Sequence, residues 1–339
     1  MDIFENIQLE RLNSFGLKAS ALYYIEVTTL TELRESLAFA KQKGLEVMPL
    51  GGGSNVVFCG NLDLVVLKIA FMGMLVLSRK DGLVLVESGA GECWHDFVLW
   101  SLFHKAYGLE NLSLIPGSVG AAPIQNIGAY GVELKDCFYS LMAIDTISGE
   151  AVRLFAEDCM FAYRDSIFKT VFKDRYIITS VQFALDEKLQ AKLHYGTLRE
   201  MVEAKCGNDF LSADLISSVV CDIRRDRLPD SDILGSVGSF FKNPEVGLAK
   251  FEQLKRQYPD IVAFPRECDN WKLAAGWLIE RAGLKGAREG MVGTHKTQAL
   301  VLVNYGGASG ADVMAFSEII KQRVHEYFGI MLEQEPRAY

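Results

Sequence analysis

Residues 49–58 read PLGGGSNVVF, so three glycines, a serine and an asparagine lie between two short apolar runs. The G-x-G-x-x-G spacing of dinucleotide-binding loops is missing, and no Lys-Ser or Lys-Thr pair follows as in a phosphate loop. The apolar residues that follow predict a strand, so no helix N-terminus is available for an anion. The stretch is compatible with a phosphate site built from successive backbone N–H groups and with a hairpin-like turn.

The composition is typical of a globular protein with a large buried core. Of the 339 residues, 50% are hydrophobic and 23% are charged. The length of the chain favours two or three domains. A net charge of −8 argues against binding to nucleic acid or to an anionic membrane. The seven scattered cysteines and five histidines lack metal-site or disulfide spacing. Neither a secretory signal nor a membrane-length apolar run is visible, so we expect a cytoplasmic protein without a metal site.

Helical and extended patterns alternate along the chain, with many antiparallel-looking strands, and predict an α+β fold. Residues 29–44 predict a helix, with a capping box from Thr29 and Glu32 and a left-handed stop at Gly44. Further helices are expected over residues 94–107, 271–283 and 309–329, and strands over residues 45–50, 56–59, 64–69, 83–88, 175–185 and 298–305. Polar residues accumulate between 187 and 225, where we place the main domain boundary.

A second loop-like stretch combines irregular backbone with apolar side chains. Residues 115–131 read IPGSVGAAPIQNIGAYG, and their glycines and prolines exclude a continuous helix or a central strand. Their small residues permit close backbone approach, and Gln125 and Asn126 add side-chain donors and acceptors. Together with residues 51–55, the stretch could hold a long ligand at a diphosphate and at a planar ring. The alternative is a packed structural crossover.

Three further motifs contain side chains that could bind a ligand or take part in catalysis. In FAYRDS (161–166), an arginine among aromatic residues suits a carboxylate or phosphate through bidentate contacts, although a structural pair with Asp165 or another acid is the alternative. In GSVGSFFKNP (235–244), Ser239 could be a positioned hydroxyl donor or an ordinary loop serine. In LEQEPR (332–337), two acids and an arginine lie near a chain end that would normally be dispensable surface. A G-x-S-x-G serine elbow is missing, which disfavours hydrolase chemistry.

Taken together, these motifs resemble those of the UDP-N-acetylenolpyruvoylglucosamine reductase (MurB) family. The matching strings are GGGSNVVF, LENLSLIPGSVGAAPIQNIGAYGVEL, YRDSIFK, GSFFKNP, KLAAGWLIE and LEQEPR, in this order and over nearly the whole chain. The resemblance implies an FAD-binding domain of the vanillyl-alcohol-oxidase (PCMH) type and a separate α+β substrate domain. The implied division is FAD-binding subdomains over 1–75 and 76–215, a substrate-binding domain over 216–325, and a tail over 326–339 that returns to the active site.

The resemblance also implies the reaction and its residues. NADPH would reduce FAD, and the flavin would then reduce the enolpyruvyl group of UDP-N-acetylglucosamine-enolpyruvate to the lactyl ether for peptidoglycan synthesis. Arg164, Ser239 and Glu335 match the family's catalytic residues, with the serine as proton donor. A monomer is expected. The implied FAD contacts are Gly51, Gly52, Gly53, Ser54, Asn55, Pro116, Gly117, Val119, Gly120, Pro123, Gln125, Ile127, Gly128 and Arg337. The implied substrate contacts are Tyr130, Tyr195, Arg224, Arg227 and Asn243.

The sequence departs from the family pattern at three places. Arg227 stands where a lysine is common, Ala121 and Ala122 replace small hydroxyl residues, and the chain stops two residues after Arg337. Two other functions remain open: an oxidase of the same FAD fold, and a non-catalytic nucleotide-binding protein. The oxidases often tether flavin through His or Cys, which the loops here do not offer at an obvious place.

Overall fold

A computed structural model of the chain describes residues 1–207, 210–231 and 233–339. The described residues form two compact units. We call them the N-terminal unit, Met1–Ile7, Ala21–Gly53 and Asp63–Asp226, and the C-terminal unit, Gln8–Ser20, Ser54–Leu62 and Arg227–Tyr339. The chain therefore enters the C-terminal unit twice before residue 63. The finer four-part division expected from the family resemblance stays a prediction.

Strands and helices alternate along both units. The strands are β1 Phe4–Gln8, β2 Ser20–Val27, β3 Val47–Leu50, β4 Val56–Val57, β5 Leu62–Ile69, β6 Met74–Lys80, β7 Leu83–Gly89, β8 Gly128–Ala129, β9 Val132–Glu133, β10 Phe138–Asp145, β11 Ala151–Phe155, β12 Tyr176–Asp186, β13 Gly235–Ser239, β14 Glu245–Gly247, β15 Ala263–Pro265, β16 Asn270–Leu273, β17 Arg288–Glu289, β18 Val292–Thr294, β19 Val301–Asn304 and β20 Arg337–Ala338. The α-helices are α1 Leu30–Lys43, α2 Trp94–Phe103, α3 Ala156–Cys159, α4 Leu198–Cys206, α5 Ala213–Arg227, α6 Leu248–Gln257, α7 Ala275–Arg281 and α8 Gly310–Phe328.

The N-terminal unit is built on two sheets. One has the strand order β1-β2-β5-β3, with β3 and β5 parallel, and the other is antiparallel with the order β11-β10-β12-β7-β6. Apolar residues of β10 and β12 belong to a continuous core that also contains Trp94 and Phe97 of α2, and neighbouring residues of both strands are buried. A smaller apolar cluster joins α4 to one face of α5.

Helix α1 forms where local sequence signals predict it. Thr29 and Glu32 make both hydrogen bonds of the capping box, and Gly44 has φ of 68° and donates to the carbonyls of Ala40 and Lys41. The left-handed conformation at Gly44 is accessible without steric strain because glycine has no Cβ. Helix α8 has the same kind of N-cap from Ser309 and Asp312.

The C-terminal unit has its own core and its own sheets. The sheet β13-β19-β18-β17 and the sheet β14-β16-β15 are antiparallel, and the two short strands β20 and β4 pair in parallel. Buried residues of α7 and α8, including Leu278, Phe316 and Ile320, pack with Leu302 of β19. The early segments also contribute, since Phe15 and Val57 are fully buried in this core.

Two predicted helices are shorter in the structure. Helix α2 ends at Phe103 because the chain turns at Lys105, with φ of 52°, so that Tyr107 can pair with Asp186 of β12. In the expected helix 271–283, residues up to Leu273 form strand β16, which pairs with a strand on each side. Sheet pairing overrides helical propensity there. None of the described helices is both long and apolar enough to cross a membrane.

Candidate active site

The glycine loop after β3 lies directly against the start of the second irregular stretch. A Cβ added at Gly52 would approach the Cα of Gly117 to 2.8 Å, and a Cβ at Gly51 would approach Ser118 Oγ to 2.5 Å. The two backbones can lie this close at Gly52 only because this residue has no side chain. The structure thereby brings together the two loops that the sequence analysis expected to share a ligand.

Where the loops meet, four backbone N–H groups have no acceptor among the described residues. In the described part of the chain, the N–H groups of Gly51, Gly52, Gly117 and Ser118 donate to no other group. Gly53 has φ of 66°, and the chain continues into β4 and not into a helix. Successive N–H groups around a left-handed residue form an anion-binding concavity. The geometry fits a phosphate group held by loop amides without a helix N-terminus.

Lys68 supports this loop and was missed by the sequence analysis. Its Nζ on β5 donates to the carbonyl of Gly51 at 2.6 Å. The N–H of Gly52 is trans to that carbonyl, so it points away from the lysine. Burial lowers the pKa of Lys68, and the charge of Glu26 opposes this shift. The available signal was a single charge inside the apolar strand run LVVLKI, which indicates a buried cation with a specific partner.

Further along the second loop, most backbone donors are used internally. The N–H of Val119 donates to Glu92, that of Gly120 to Ala90 and that of Ile127 to Ala122. Pro123 is buried, Pro116 is exposed, and Gln125 and Gly128 are half-buried. The expectation that the side chain of Asn126 offers donors and acceptors to a ligand is wrong. The side chain is fully buried and binds Glu133, Ala162 and Lys135, so it holds the loop together.

A cavity of about 90 Å³ lies beside these loops in the N-terminal unit. Its walls come from the glycine loop, the second loop and strand β12; the lining residues are Pro49, Gly51, Ile69, Ala90, Ser118, Gly120, Ala121, Ile124, Tyr176, Ile177 and Ile178. The wall is mostly apolar with a few polar groups, as in pockets for planar cofactors. The contribution of Tyr176, Ile177 and Ile178 was not foreseen.

Arg164 lies in a strained segment of the same unit. Its φ is 52°, which is uncommon for a residue with a side chain, and Nη2 donates to the carbonyl of Gly128 at 2.7 Å. Strain of this kind persists where the surrounding structure enforces it, and it is frequent at functional sites. Oδ1 of the neighbouring Asp165 accepts a hydrogen bond from the N–H of Ser166 at 2.9 Å.

Arg224 on α5 faces the same region. Its Nε donates to the carbonyl of Leu114 at 3.1 Å. Burial lowers the pKa of Arg224, Tyr130 opposes this, and the positive charge of Arg164 adds to the lowering, so the two guanidinium groups lie within electrostatic range. Two arginines that repel each other indicate a place for an anionic ligand.

Tyr130 and Tyr195 also lie together, with ring centroids 6.1 Å apart and nearly perpendicular. Asn111, which was not foreseen, ties their segments to each other because Nδ2 donates to the carbonyls of Tyr130 and Lys192. The buried Oδ1 of Asn111 has no hydrogen-bond partner among the described residues. Tyr195 itself is 41% exposed, which leaves its ring accessible to a ligand.

In the C-terminal unit, Ser239 lies beside the chain terminus. It is the last residue of β13, follows Gly238 with φ of 72° at a β-bulge, and is half-buried next to the fully buried Phe240. The tail pairs with the residues that follow, since the N–H of Glu335 donates to the carbonyl of Phe240 and Phe241 bridges to Gln334. The pairing brings Ser239 and Glu335 close to each other.

The other predicted residues of this unit have different environments. Arg337 pairs with Val56 directly after Asn55, and its N–H donates to the carbonyl of Asn55 at 3.1 Å. Oδ1 of Asn243 accepts from the N–H of Ala275 at the start of α7 at 2.9 Å. Arg227 is exposed at the end of α5. The described ranges contain no group of three or more His, Cys, Asp or Glu side chains arranged for a metal ion.

Two family models match the chain. The model for an FAD binding domain matches residues 21–154, and the model for the C-terminal domain of UDP-N-acetylenolpyruvoylglucosamine reductase matches residues 229–339. The first contains the glycine loop and its partner loop, and the second contains Ser239 and Glu335. These matches confirm the predicted α+β fold class with an FAD-binding domain.

Similar proteins cover the whole chain. UDP-N-acetylenolpyruvoylglucosamine reductase of Pseudomonas putida is 48% identical over 335 residues, covering 99% of this chain and 98% of that protein. The enzyme of the same name from Pseudomonas aeruginosa is 45% identical over 339 residues, covering 100% and 99%. The solved structure of the reductase (MurB) from Thermus caldophilus aligns with a TM-score of 0.66 and 22% identity, covering 100% of this chain and 98% of that one.

Proposed function

Since the chain belongs to the UDP-N-acetylenolpyruvoylglucosamine reductase family, we propose that it reduces the enolpyruvyl group of UDP-N-acetylglucosamine-enolpyruvate to the lactyl ether UDP-N-acetylmuramate, with NADPH as reductant. The reaction is a step in the synthesis of peptidoglycan precursors, and we propose that the protein acts in the cytoplasm as a monomer. The observation that supports this most is the approach of Gly51 and Gly52 to Gly117 and Ser118, where the four backbone N–H groups donate to no other group of the described residues.

FAD, when bound, supplies hydride transfer between NADPH and the substrate. We propose that the glycine loop and the partner loop bind its diphosphate through the amides of Gly51, Gly52, Gly117 and Ser118. The apolar cavity next to them suits a planar ring. Apart from Arg337, the remaining cofactor residues expected from the sequence lie in the same two loops. Arg337, which is paired beside Asn55, is proposed to add a positive charge.

Arg164 is proposed to stabilise the substrate carboxylate. Hydride addition to an enolpyruvyl carbon pushes negative charge toward that carboxylate, and a fixed guanidinium stabilises charge that develops in the transition state. Its Nη2 is held by Gly128, so the planar group has a set orientation before substrate binds. Arg224, which lies within electrostatic range, is proposed to bind an anionic group of the same substrate together with Tyr130 and Tyr195.

Ser239 is proposed to donate the proton that completes the reduction. A serine hydroxyl is a weak acid, but a carbanion-like carbon is a strong base, so position matters more than acidity. The bulge at Gly238 and the buried Phe240 fix the backbone on both sides of the serine. Glu335, held beside this strand by the tail pairing, is proposed to stabilise the enol-like species. Arg227 and Asn243 are proposed as further substrate contacts.

Anaerobic mixing separates this function from the alternatives. We expect NADPH to bleach the flavin absorbance of the purified protein, and addition of the enolpyruvyl substrate to restore it. An oxidase would ignore NADPH and consume oxygen with an alcohol substrate. A non-catalytic nucleotide-binding protein would show no flavin, or a flavin that NADPH cannot reduce. Failure of the absorbance to return with substrate would refute the proposed reaction.

Two variants test the proposed roles. Ser239→Ala should leave the NADPH half-reaction intact and slow reoxidation by substrate by about 10²-fold or more. Ser236→Ala, on the same strand, is the control, since the hydrogen bonds of Ser236 with Ser14 use its backbone N–H and carbonyl. Equal loss of both half-reactions would show a structural role for Ser239. Near-normal turnover in Arg164→Lys would refute the proposed stabilisation of the substrate carboxylate by the planar guanidinium.

A further inference from the structure

One face of helix α5 carries three polar residues at helical spacing. Ser217, Cys221 and Arg224 are four and three residues apart, so they follow each other along the same face. Each contacts a different residue of the N-terminal unit. Ser217 Oγ lies 2.7 Å from Ser113 Oγ, Cys221 Sγ lies 3.9 Å from His95 Nε2, and Arg224 Nε donates to the carbonyl of Leu114 at 3.1 Å.

The backbone of Leu114 connects Arg224 of this face to His95. Its φ is 58°, a left-handed conformation that is uncommon for a leucine. Its N–H donates to His95 Nδ1 at 3.0 Å, and its carbonyl accepts from Arg224. Strain of this kind requires contacts that hold the residue in place. The histidine and the arginine therefore hold opposite sides of one residue, three positions before Gly117.

The contact with Leu114 defines the state of the imidazole ring. Nδ1 accepts a hydrogen bond, so the neutral ring carries its proton on Nε2, which faces Cys221. Asp96 on its own helix and Arg224 and Arg225 on α5 are the charged groups that act on it. Burial lowers the pKa of His95, Asp96 opposes this, and both arginines add to the lowering. The ring is therefore neutral at neutral pH.

We infer that His95 is a positioning residue for Arg224. The neutral ring holds the N–H of Leu114, and the carbonyl of Leu114 then fixes the guanidinium through Nε. Nη1 and Nη2 of Arg224 make no hydrogen bond within the described ranges, so they are left for an anionic group of the substrate. This inference rests on the proposed substrate role of Arg224.

Acid should disrupt the arrangement. Protonation of His95 removes the acceptor on Nδ1 and places a positive charge beside Arg224 and Arg225. The KM for the enolpyruvyl substrate should therefore rise as pH falls through the lowered pKa of His95, with a smaller effect on kcat.

The test compares two His95 variants in the FAD-loaded enzyme. His95→Leu removes the acceptor, and we expect KM for the substrate to rise about fivefold to tenfold, the loss of one hydrogen bond, with kcat changed less. His95→Asn places an amide oxygen near the position of Nδ1 and does not titrate. It should keep KM near the wild-type value and abolish the His95-dependent rise in acid. His104→Leu is the matched control, since His104 follows the same helix and its imidazole Nδ1 lies 2.9 Å from the carbonyl of Trp100, away from Leu114 and Arg224 in sequence.

Two results separate this inference from the proposed function. If Arg224→Met leaves KM unchanged, the substrate role of Arg224 is wrong, and the inference is wrong with it. If Arg224→Met raises KM while His95→Leu behaves as His104→Leu does, only the role of His95 is refuted. Nitrogen NMR of the histidine rings gives a readout independent of turnover. We expect His95 neutral and protonated on Nε2 at neutral pH, and a proton on Nδ1 would overturn the inference even if a variant fails to fold.

Discussion

Substitution of Gly52 by alanine tests whether the two loops form one flavin-binding site. The new Cβ would lie 2.8 Å from the Cα of Gly117 and 3.3 Å from its carbonyl carbon. Both contacts are with backbone, so no side-chain rotation can relieve them. The φ of Gly52 is outside the left-handed region, so alanine adds no backbone strain of its own. In such a case Gly→Ala otherwise stabilises a protein by about 0.4–1 kcal/mol.

The expected magnitude follows from the contact. Overpacking at a site that cannot adapt costs about 1–3 kcal/mol. If the two loops must separate to accept the methyl group, this energy is lost from FAD binding. The dissociation constant should then rise about fivefold to 150-fold.

The assay is titration of deflavinated protein with FAD, followed by flavin fluorescence. Gly60→Ala is the matched control, because a Cβ there meets nothing within 4 Å and the backbone is not left-handed. Gly51→Ala gives a second comparison, because its closest contact, at 2.5 Å, is with the hydroxyl of Ser118. Deleting that hydroxyl leaves contacts of 3.5 Å or more, so Gly51→Ala combined with Ser118→Ala should recover affinity.

Two outcomes would contradict this reasoning. If Gly52→Ala binds FAD as tightly as Gly60→Ala does, the approach of the loops has no part in flavin binding. If Ser118→Ala does not rescue Gly51→Ala, the steric account of the loop contact is wrong. Circular dichroism of each apoprotein should match the wild type, since the change is confined to surface loops.

Three further predictions follow from other contacts. Lys68→Met should raise the FAD dissociation constant about tenfold in the same titration, because the carbonyl of Gly51 loses its charged donor; an unchanged constant would rule out its support of the loop. Glu335→Gln should lower kcat about 10²-fold. Glu333→Gln is the control and should change kcat little, since the side chain of Glu333 is 69% exposed. Equal effects of the two substitutions on kcat would refute the catalytic role of Glu335. Burial raises the pKa of Glu110 above 4.5, so its carboxyl stabilises the fold below that pH and loses this contribution as pH rises through the folded pKa. Glu110→Gln should therefore have a higher urea midpoint of unfolding than the wild type at neutral pH, and no higher midpoint in acid. A difference in midpoint that stays constant with pH would show that ionisation of Glu110 does not affect stability.

Local features of the fold could be predicted from the sequence. The bounds of α1 follow from Thr29, Glu32 and Gly44, because caps act within one turn of the helix. The glycine loop followed by a strand was also predictable, since the absence of a helical pattern after Asn55 is visible in the sequence. Helix α2 was predicted four residues too long, because its end depends on pairing between Tyr107 and Asp186, which lie far apart in the chain.

The candidate site was only partly predictable for the same reason. Motif order and spacing identified the residues that carry the family resemblance, including Arg164, Ser239 and Glu335. Asn126 has the donors and acceptors of a ligand-binding asparagine. In the structure, its side chain instead makes hydrogen bonds to Glu133, Ala162 and Lys135. Its burial depends on contacts with Ala162, which no local pattern reveals.

The sequence by itself determined the helix caps, the strand alternation, the two glycine-rich loops and the family, because each depends on residue types at short spacing. Only the tertiary structure decided that Gly52 lies against Gly117, that Lys68 holds Gly51 and that the tail pairs with the strand after Ser239. These contacts join segments that are tens of residues apart in the chain. Their geometry depends on how the sheets pack, and that is a property of the whole chain.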